Sequence, residues 1–576
     1  MSHLAKTAIL QGKAPEEKVN RPSRPQIIFW AVILLALLFI SLFHYQYYQL
    51  GTHTDDSSYL ILARSLITSP VYGMINAPGA ALPAKYPFGY PLVLASVMLL
   101  FPHQTEALKI PSLIFTVLNM SLIFWGWKWF FPQRSYRWGL VITALYALAP
   151  MIIDHTRRLM SEPVFTFFCL VTILLVEMYV QGKRPWWWGT ALSIALVFTI
   201  YTRSIGFLLL GAVFLYLLIT IGRKFWKEVP GILVQMAALI GLVLVLTPVQ
   251  WRDLLPVEYL QDENARFITA FIAQIDPHYT DPLITPSTTP QPVPPGTTTG
   301  KSSSLETLFF FGLKQHLGKD LRTVALPVGG GQREQEFANA LGLPGLPLVL
   351  GYLVSAIIAV GAFRLLRQNA SSFFMWFAVL YFAALFSWAW DDPRLLYPIQ
   401  PQIELGFLAG LEAVILWTAS LGANQKNRQK ITDSILAGLA ALLIITSAYK
   451  SAVIDESRLH AGDVASRSEW LVHHSSGSDI VMTEAPETDY VYSDRKTVPY
   501  PPSNASASEI AAYLSDLHIR YIIVAPQIFW QDTYHPVYSS GTSQLLKLLS
   551  GPELDRHVQL VYRSEQDVVR IYRVLS

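Results

Sequence analysis

IIFWAVILLALLFISLFHYQYYQLGTHTDDSSYLILARSL, residues 27–66, decides how this chain is read. Its first half is apolar for about twenty residues, enough helix to cross roughly 30 Å of hydrocarbon. The run is too long for a signal-peptide core and lacks a small-residue cleavage site, so it is expected to stay in the membrane as an anchor. Immediately beyond it stand Asp55 and Asp56, an acidic pair at the membrane edge, followed by apolar residues at helical spacing that suit a helix lying along the surface.

The rest of the chain extends that pattern. Of 576 residues, 52% are hydrophobic and only 14% are charged, against about 25% charged in a soluble domain. Such a chain belongs to the polytopic membrane class. Spans are predicted at 27–47, 107–129, 136–153, 160–181, 186–201, 204–222, 231–249, 343–363, 372–390, 394–417 and 431–449. The short connections on one side carry the basic residues: Lys6 to Arg24, Arg134 and Arg137, Lys183 and Arg184, Arg223 to Lys227, Arg364 and Arg367, Lys426 to Lys430. By the positive-inside rule the N-terminus is cytoplasmic and the C-terminal region extracytoplasmic, in an inner or plasma membrane. PFGYPLVLASVMLLF, 87–101, is too short for an easy span and reads as an interfacial or re-entrant helix. A net charge of +3 gives no basis for nucleic-acid binding. The one cysteine, Cys169, sits in an apolar run with no disulfide partner.

The expected organisation is a disordered cytoplasmic tail, 1–26, then a membrane domain, 27–449, with outer loops 51–106 and 250–342. A domain of 450–576 follows. The middle of the second loop is rich in Pro, Thr and Ser and cannot bury a core, while LETLFFFGLKQHLGKDLRTVALPVG, 305–329, has room for another interfacial helix. In the tail, SDIVMTEAP, RYIIVAP, VQLVYRS and VVRIYRVL read as strands, and SEIAAYLSDLH and SGTSQLLKLLSG as helices. That alternation predicts a small α/β domain.

Residues able to do chemistry gather beside the outer face. A carboxylate at 55 or 56 can take a proton from an attacking hydroxyl or amine, and either acid can also cap the following helix. His53 is adjacent. Lys85 lies among prolines and aromatics in PAKYPFGYP, where it can anchor topology or hold a lipid phosphate. PMIIDHTRRLMSEP carries Asp154, His155, Arg158 and Glu162. If 155–162 is helical, Arg158 and Glu162 are four apart and pair, whereas a helix beginning at Ser161–Glu162–Pro163 fits the same letters. Arg203 in YTRSIG and Asp391, Asp392 and Arg394 in WAWDDPRLLYP end later spans, and arginines there need anionic partners. Without close His or Cys spacing these acids are weak evidence for a metal site, so the metal is left unassigned and no cofactor is indicated.

Taken in order, THTDDSSYLILARSL, AKYPFGYPLVLA, RRLMSEP, YTRSIG and DDPRLLYPIQP resemble the GT-C superfamily of polytopic glycosyltransferases, near the bacterial aminoarabinose transferases and protein O-mannosyltransferases. VMTEAPETDYVYSDRKTVPYP with YLSDLHIRYIIV is similar to the outer domain of bacterial members of that group. The resemblance implies a fold of about eleven transmembrane helices with an extracytoplasmic α/β domain. It also implies an enzyme transferring a sugar, with inversion, from a polyprenyl-phosphate donor to a lipid, glycan or protein acceptor. Asp55, with Asp56 second, is then the base; Lys85, Arg203 and Arg394 meet the donor phosphate; His53, Asp154, Arg158, Glu162, Asp391 and Asp392 form an acceptor or structural group. Membrane lipids are the expected surroundings. No WWD-type acceptor motif appears in the tail. An oligosaccharide ligase or polymerase using a polyprenyl diphosphate, and a non-enzymatic transporter or scaffold, remain open at this stage, as do the sugar, the acceptor and the oligomeric state.

Overall fold

The computed structural model describes residues 21–43, 50, 54–84, 86–102, 104–183, 185–246, 312–327, 332–369, 372–386, 393–420, 425–453, 457–502, 505–525, 540–551, 554, 556–565 and 568–575. Most of the expected tail 1–26, His53, Lys85, Asp391 and Asp392, and most of the second loop lie outside these residues, while the end of that tail, from Arg24, already belongs to the first helix.

All eleven expected spans fall on helices. They are Arg24–Phe43, Ile110–Trp125, the pair Tyr136–Leu148 and Pro150–Thr156, Glu162–Val180, Trp188–Thr202, Gly206–Ile221, Phe225–Leu246, Leu346–Gln368, Phe373–Phe386, Gln400–Ser420 and Gln425–Val453. Length qualifies the count. Among the described residues seven helices are long and apolar enough to cross a membrane, and the bent pair brings the number to eight. The helices starting at Trp188, Gly206 and Phe373 run 14 to 16 residues, about 21–24 Å at the helical rise, and fall short of the hydrocarbon thickness. Gly89–Leu100, at 12 residues, is only about 18 Å long. It packs on the helix Thr54–Thr68.

Three local devices shape the bundle. Pro150 has no amide hydrogen with which to continue the helix from Tyr136, and the chain bends there by 59°. Leu346–Gln368 and Gln400–Ser420 approach through glycines: a Cβ on Gly361 would run into the carbonyl of Gly406, and one on Gly410 into that of Ile357. Such close backbone approach is how helices gain contact where lipid supplies no hydrophobic drive. Glu177, buried in its span, accepts the Phe374 amide at 3.2 Å and so caps the first turn of the helix from Phe373. Glu177→Gln keeps an acceptor there and is expected to hold stability, whereas Glu177→Leu should lower it by about 1–2 kcal/mol, read by thermal unfolding in detergent.

The tail is an α/β domain, as expected. Two short strands, β1 Gly73–Met74 and β2 Leu82–Pro83, pair in the first loop; the tail's five-stranded sheet runs β4-β3-β5-β7-β6, with β3 Ile480–Met482, β4 Lys496–Val498, β5 Ile519–Val524, β6 Val558–Arg563 and β7 Arg570–Val574. Strand β3 lies parallel to β4 and β5, and β7 antiparallel to β5 and β6. Helices Ala507–Asp516 and Ser540–Leu549 match the expected pair. The first is closed by a capping box in which Ser506 and Glu509 satisfy each other's amides. Two further helices, Ser457–His474 and Pro486–Ser493, and strand β4 were not expected. The helix from Gln425 continues to Val453, a few residues past the expected boundary at 450.

Candidate active site

The acidic pair occupies the first turn of Thr54–Thr68. The acids thus lie inside the helix that the sequence places after them. Neighbouring residues on a helix point about 100° apart, so the two carboxylates still face different surroundings. Asp56 is fully buried, its Oδ1 accepting the Ser57 amide at 2.7 Å. Asp55 looks across the site. Its Oδ2 meets Arg394 Nη1 at 2.5 Å and its Oδ1 accepts the Tyr86 hydroxyl at 2.6 Å. Arg394 is carried by the 3-10 segment Pro393–Ile399, which leads into the helix from Gln400.

From Tyr86 the contacts continue around a loop of side chains. Its ring lies 4.6 Å from that of Tyr59, and the Tyr59 hydroxyl and Ser161 Oγ are 2.9 Å apart. Burial pushes the Tyr59 phenol well above its ordinary range, so it stays neutral. Arg203 Nη1 donates to Ser161 Oγ at 3.2 Å and forms an ion pair with Glu162. Arg394 lies close enough to Glu162, Arg203 and His155 to interact electrostatically with each. One centre therefore holds Asp55, Glu162, Arg203 and Arg394, residues spread over 340 positions of sequence.

The remaining expected residues sort differently. Arg158 does not pair with Glu162, because the helix from Pro150 ends at Thr156 and a new one begins at Glu162. Arg158 instead turns back to Asp154 at 2.9 Å, and Arg157 stands 3.8 Å from the same oxygen. Ser161 precedes the new helix but makes no capping bond, its hydroxyl being engaged with Tyr59 and Arg203. His155 bonds through Nδ1 to the Met151 carbonyl at 2.7 Å, and its ring lies 5.0 Å from that of Tyr397, tilted by 44°. Among the described residues no three His, Cys, Asp or Glu side chains gather in a geometry suited to a metal ion. Tyr59 and Tyr86 were not singled out from sequence, although Tyr86 stands next to Lys85.

The membrane bundle has its charged centre at the ends of several helices and an α/β domain packed against the first loop, an arrangement similar to that of known proteins. Residues 85–251 match the family model described as dolichyl-phosphate-mannose-protein mannosyltransferase. The chain is similar in structure to ArnT from Cupriavidus metallidurans bound to undecaprenyl phosphate, with a TM-score of 0.54, 12% identity, and coverage of 96% of this chain and 99% of that one. It is also similar to the oligosaccharyltransferase AglB from Archaeoglobus fulgidus in complex with an inhibitory peptide and a dolichol-phosphate, with a TM-score of 0.51, 11% identity, and coverage of 87% and 69%. No curated protein matches it in sequence. The GT-C resemblance read from sequence is borne out: the protein is a multi-pass membrane protein of the GT-C fold.

Proposed function

We propose that this protein is a glycosyltransferase that moves a sugar from a polyprenyl-phosphate donor to a lipid, glycan or protein acceptor on the extracytoplasmic face. The observation that carries this is the contact of Asp55 with Arg394, which joins a proton acceptor and an anion-binding cation from opposite ends of the membrane domain. Further support comes from the solved relatives, one bound to undecaprenyl phosphate and the other to a dolichol-phosphate.

The reaction follows from the parts. An acceptor oxygen or nitrogen attacks the anomeric carbon from the face opposite the phosphate, the carbon–phosphate-oxygen bond breaks, and the phosphate departs with the electron pair. Inversion results. Asp55 receives the acceptor's proton. Arg394 engages Asp55 Oδ2; the donor's phosphate competes for that guanidinium, and its capture leaves the oxygen available for the proton. Lys85 and Arg203 are assigned to supply positive charge against the negative charge that develops on the leaving phosphate. Tyr86 keeps the carboxylate oriented throughout.

The deciding experiment is mass spectrometry of membrane lipids from cells lacking the gene. A polyprenyl-monophosphate sugar should accumulate and disappear on complementation. Accumulation of an oligosaccharide on a polyprenyl diphosphate would favour the ligase reading, and an unchanged lipid profile would count against transfer altogether. For orientation, cysteines introduced into the α/β domain should react with an impermeant maleimide from the extracytoplasmic side.

A further inference from the structure

The α/β domain holds the very helix that carries the acidic pair. Thr488 Oγ1 on Pro486–Ser493 lies 3.3 Å from Ser57 Oγ, 431 residues away in sequence. The Ser57 hydroxyl donates to Asp56 Oδ1 at 3.4 Å, so the proton between the two hydroxyls comes from Thr488 and a chain runs Thr488 to Ser57 to Asp56. All three side chains are buried. One helical turn on, the Tyr492 hydroxyl accepts the Leu50 amide at 2.9 Å and faces the Leu50 carbonyl at 3.3 Å, gripping the backbone just before the acidic stretch.

The grip extends along both arms of the first loop. Arg64 reaches Asp494 at 3.3 Å and the Val491 carbonyl at 3.4 Å. On the returning arm the Thr497 amide donates to the Asn76 carbonyl at 2.9 Å and Lys496 to the Ile75 carbonyl at 2.5 Å. The gripping helix is itself stiffened from behind: buried Asp489 accepts Arg467 Nε at 2.6 Å and Thr483 Oγ1 at 2.5 Å.

We propose that Thr488 and Tyr492 are positioning residues for the acidic pair, the α/β domain fixing the first turn of Thr54–Thr68 so that Asp55 stays aimed at Arg394 and Tyr86. This rests on the transferase reading above. It matters because a displacement of about 1 Å at a reacting group costs on the order of 10²-fold in rate, and a first helical turn has few bonds of its own to resist it.

The test uses the full-length protein in nanodiscs and, as donor, the sugar-lipid isolated from the deletion cells. In Thr488→Val/Tyr492→Phe, kcat should fall about tenfold with KM for that lipid unchanged, and amides 54–60 should exchange with deuterium about tenfold faster. Thr488→Ser, which retains the hydroxyl, should restore both. Wild-type kcat in the double variant, or faster exchange with no loss of kcat, would overturn the proposal. Should the wild type transfer nothing from this lipid, the transferase reading fails, and exchange at 54–60 alone decides whether the grip exists.

Discussion

Asp55→Asn is expected to cut turnover about 10³-fold, the range that a general base supplies. The substitution is nearly isosteric. An asparagine oxygen can still accept the Tyr86 hydroxyl bonded at 2.6 Å to Asp55, so the first turn of the helix keeps its place and the loss reports chemistry. KM for the donor should fall slightly at the same time, because Arg394 no longer has the carboxylate at 2.5 Å as a competitor for phosphate. A pure packing defect would move kcat and stability together and would not tighten donor binding. Asp56→Asn is expected to cost less in turnover, since its carboxylate is sealed from solvent against Ser57 and is not presented to a substrate. Turnover measured in membranes, with thermal unfolding as control, separates these outcomes; near-normal transfer by Asp55→Asn removes it as the base.

What could be read from the sequence follows from the range of the interactions involved. The bundle's helices were legible because a long apolar run is a local signal: all eleven predicted spans coincide with helices, of which seven, or eight with the bent pair, are long enough to cross among the described residues. Asp55 and Arg394 were legible because charge at a helix end beside hydrocarbon demands a partner; that each is the other's partner was beyond any local pattern. Arg158 and Glu162 were left open for a local reason: their spacing of four implies pairing only on one continuous helix, and the turn between Thr156 and Glu162 decides for the alternative, a new helix starting at Glu162. The α/β domain gave up its longer strands through β-branched and aromatic runs, but β4 is three residues long and carries too little pattern to stand out. Thr488 and Tyr492 could not be found at all from sequence, because a hydroxyl's importance here lies in what it touches more than 430 residues away.

Arg203→Met is expected to lower stability by about 3 kcal/mol, and Glu162→Gln/Arg203→Met to restore most of it. Glu162 is buried at the start of its span, and Arg203 is its ion-pair partner. Removing one member of a buried pair leaves a charge without compensation and typically costs about 3–5 kcal/mol, whereas removing both charges is close to neutral. The lower end applies because only Glu162 is fully buried, the Arg203 side chain being 20% exposed, and because the charge of Arg394 also reaches Glu162. The pair of variants separates the two tasks that Arg203 can have. A guanidinium serving only Glu162 becomes dispensable once the carboxylate is neutral, and the double variant would then recover turnover along with its melting temperature. A guanidinium that also meets the donor phosphate is still missed. The expected result is the second: stability returns, while KM for the lipid donor stays about tenfold high, the value of one charge-assisted hydrogen bond. Full recovery of KM would confine Arg203 to the bundle and leave Arg394 and Lys85 to receive the phosphate.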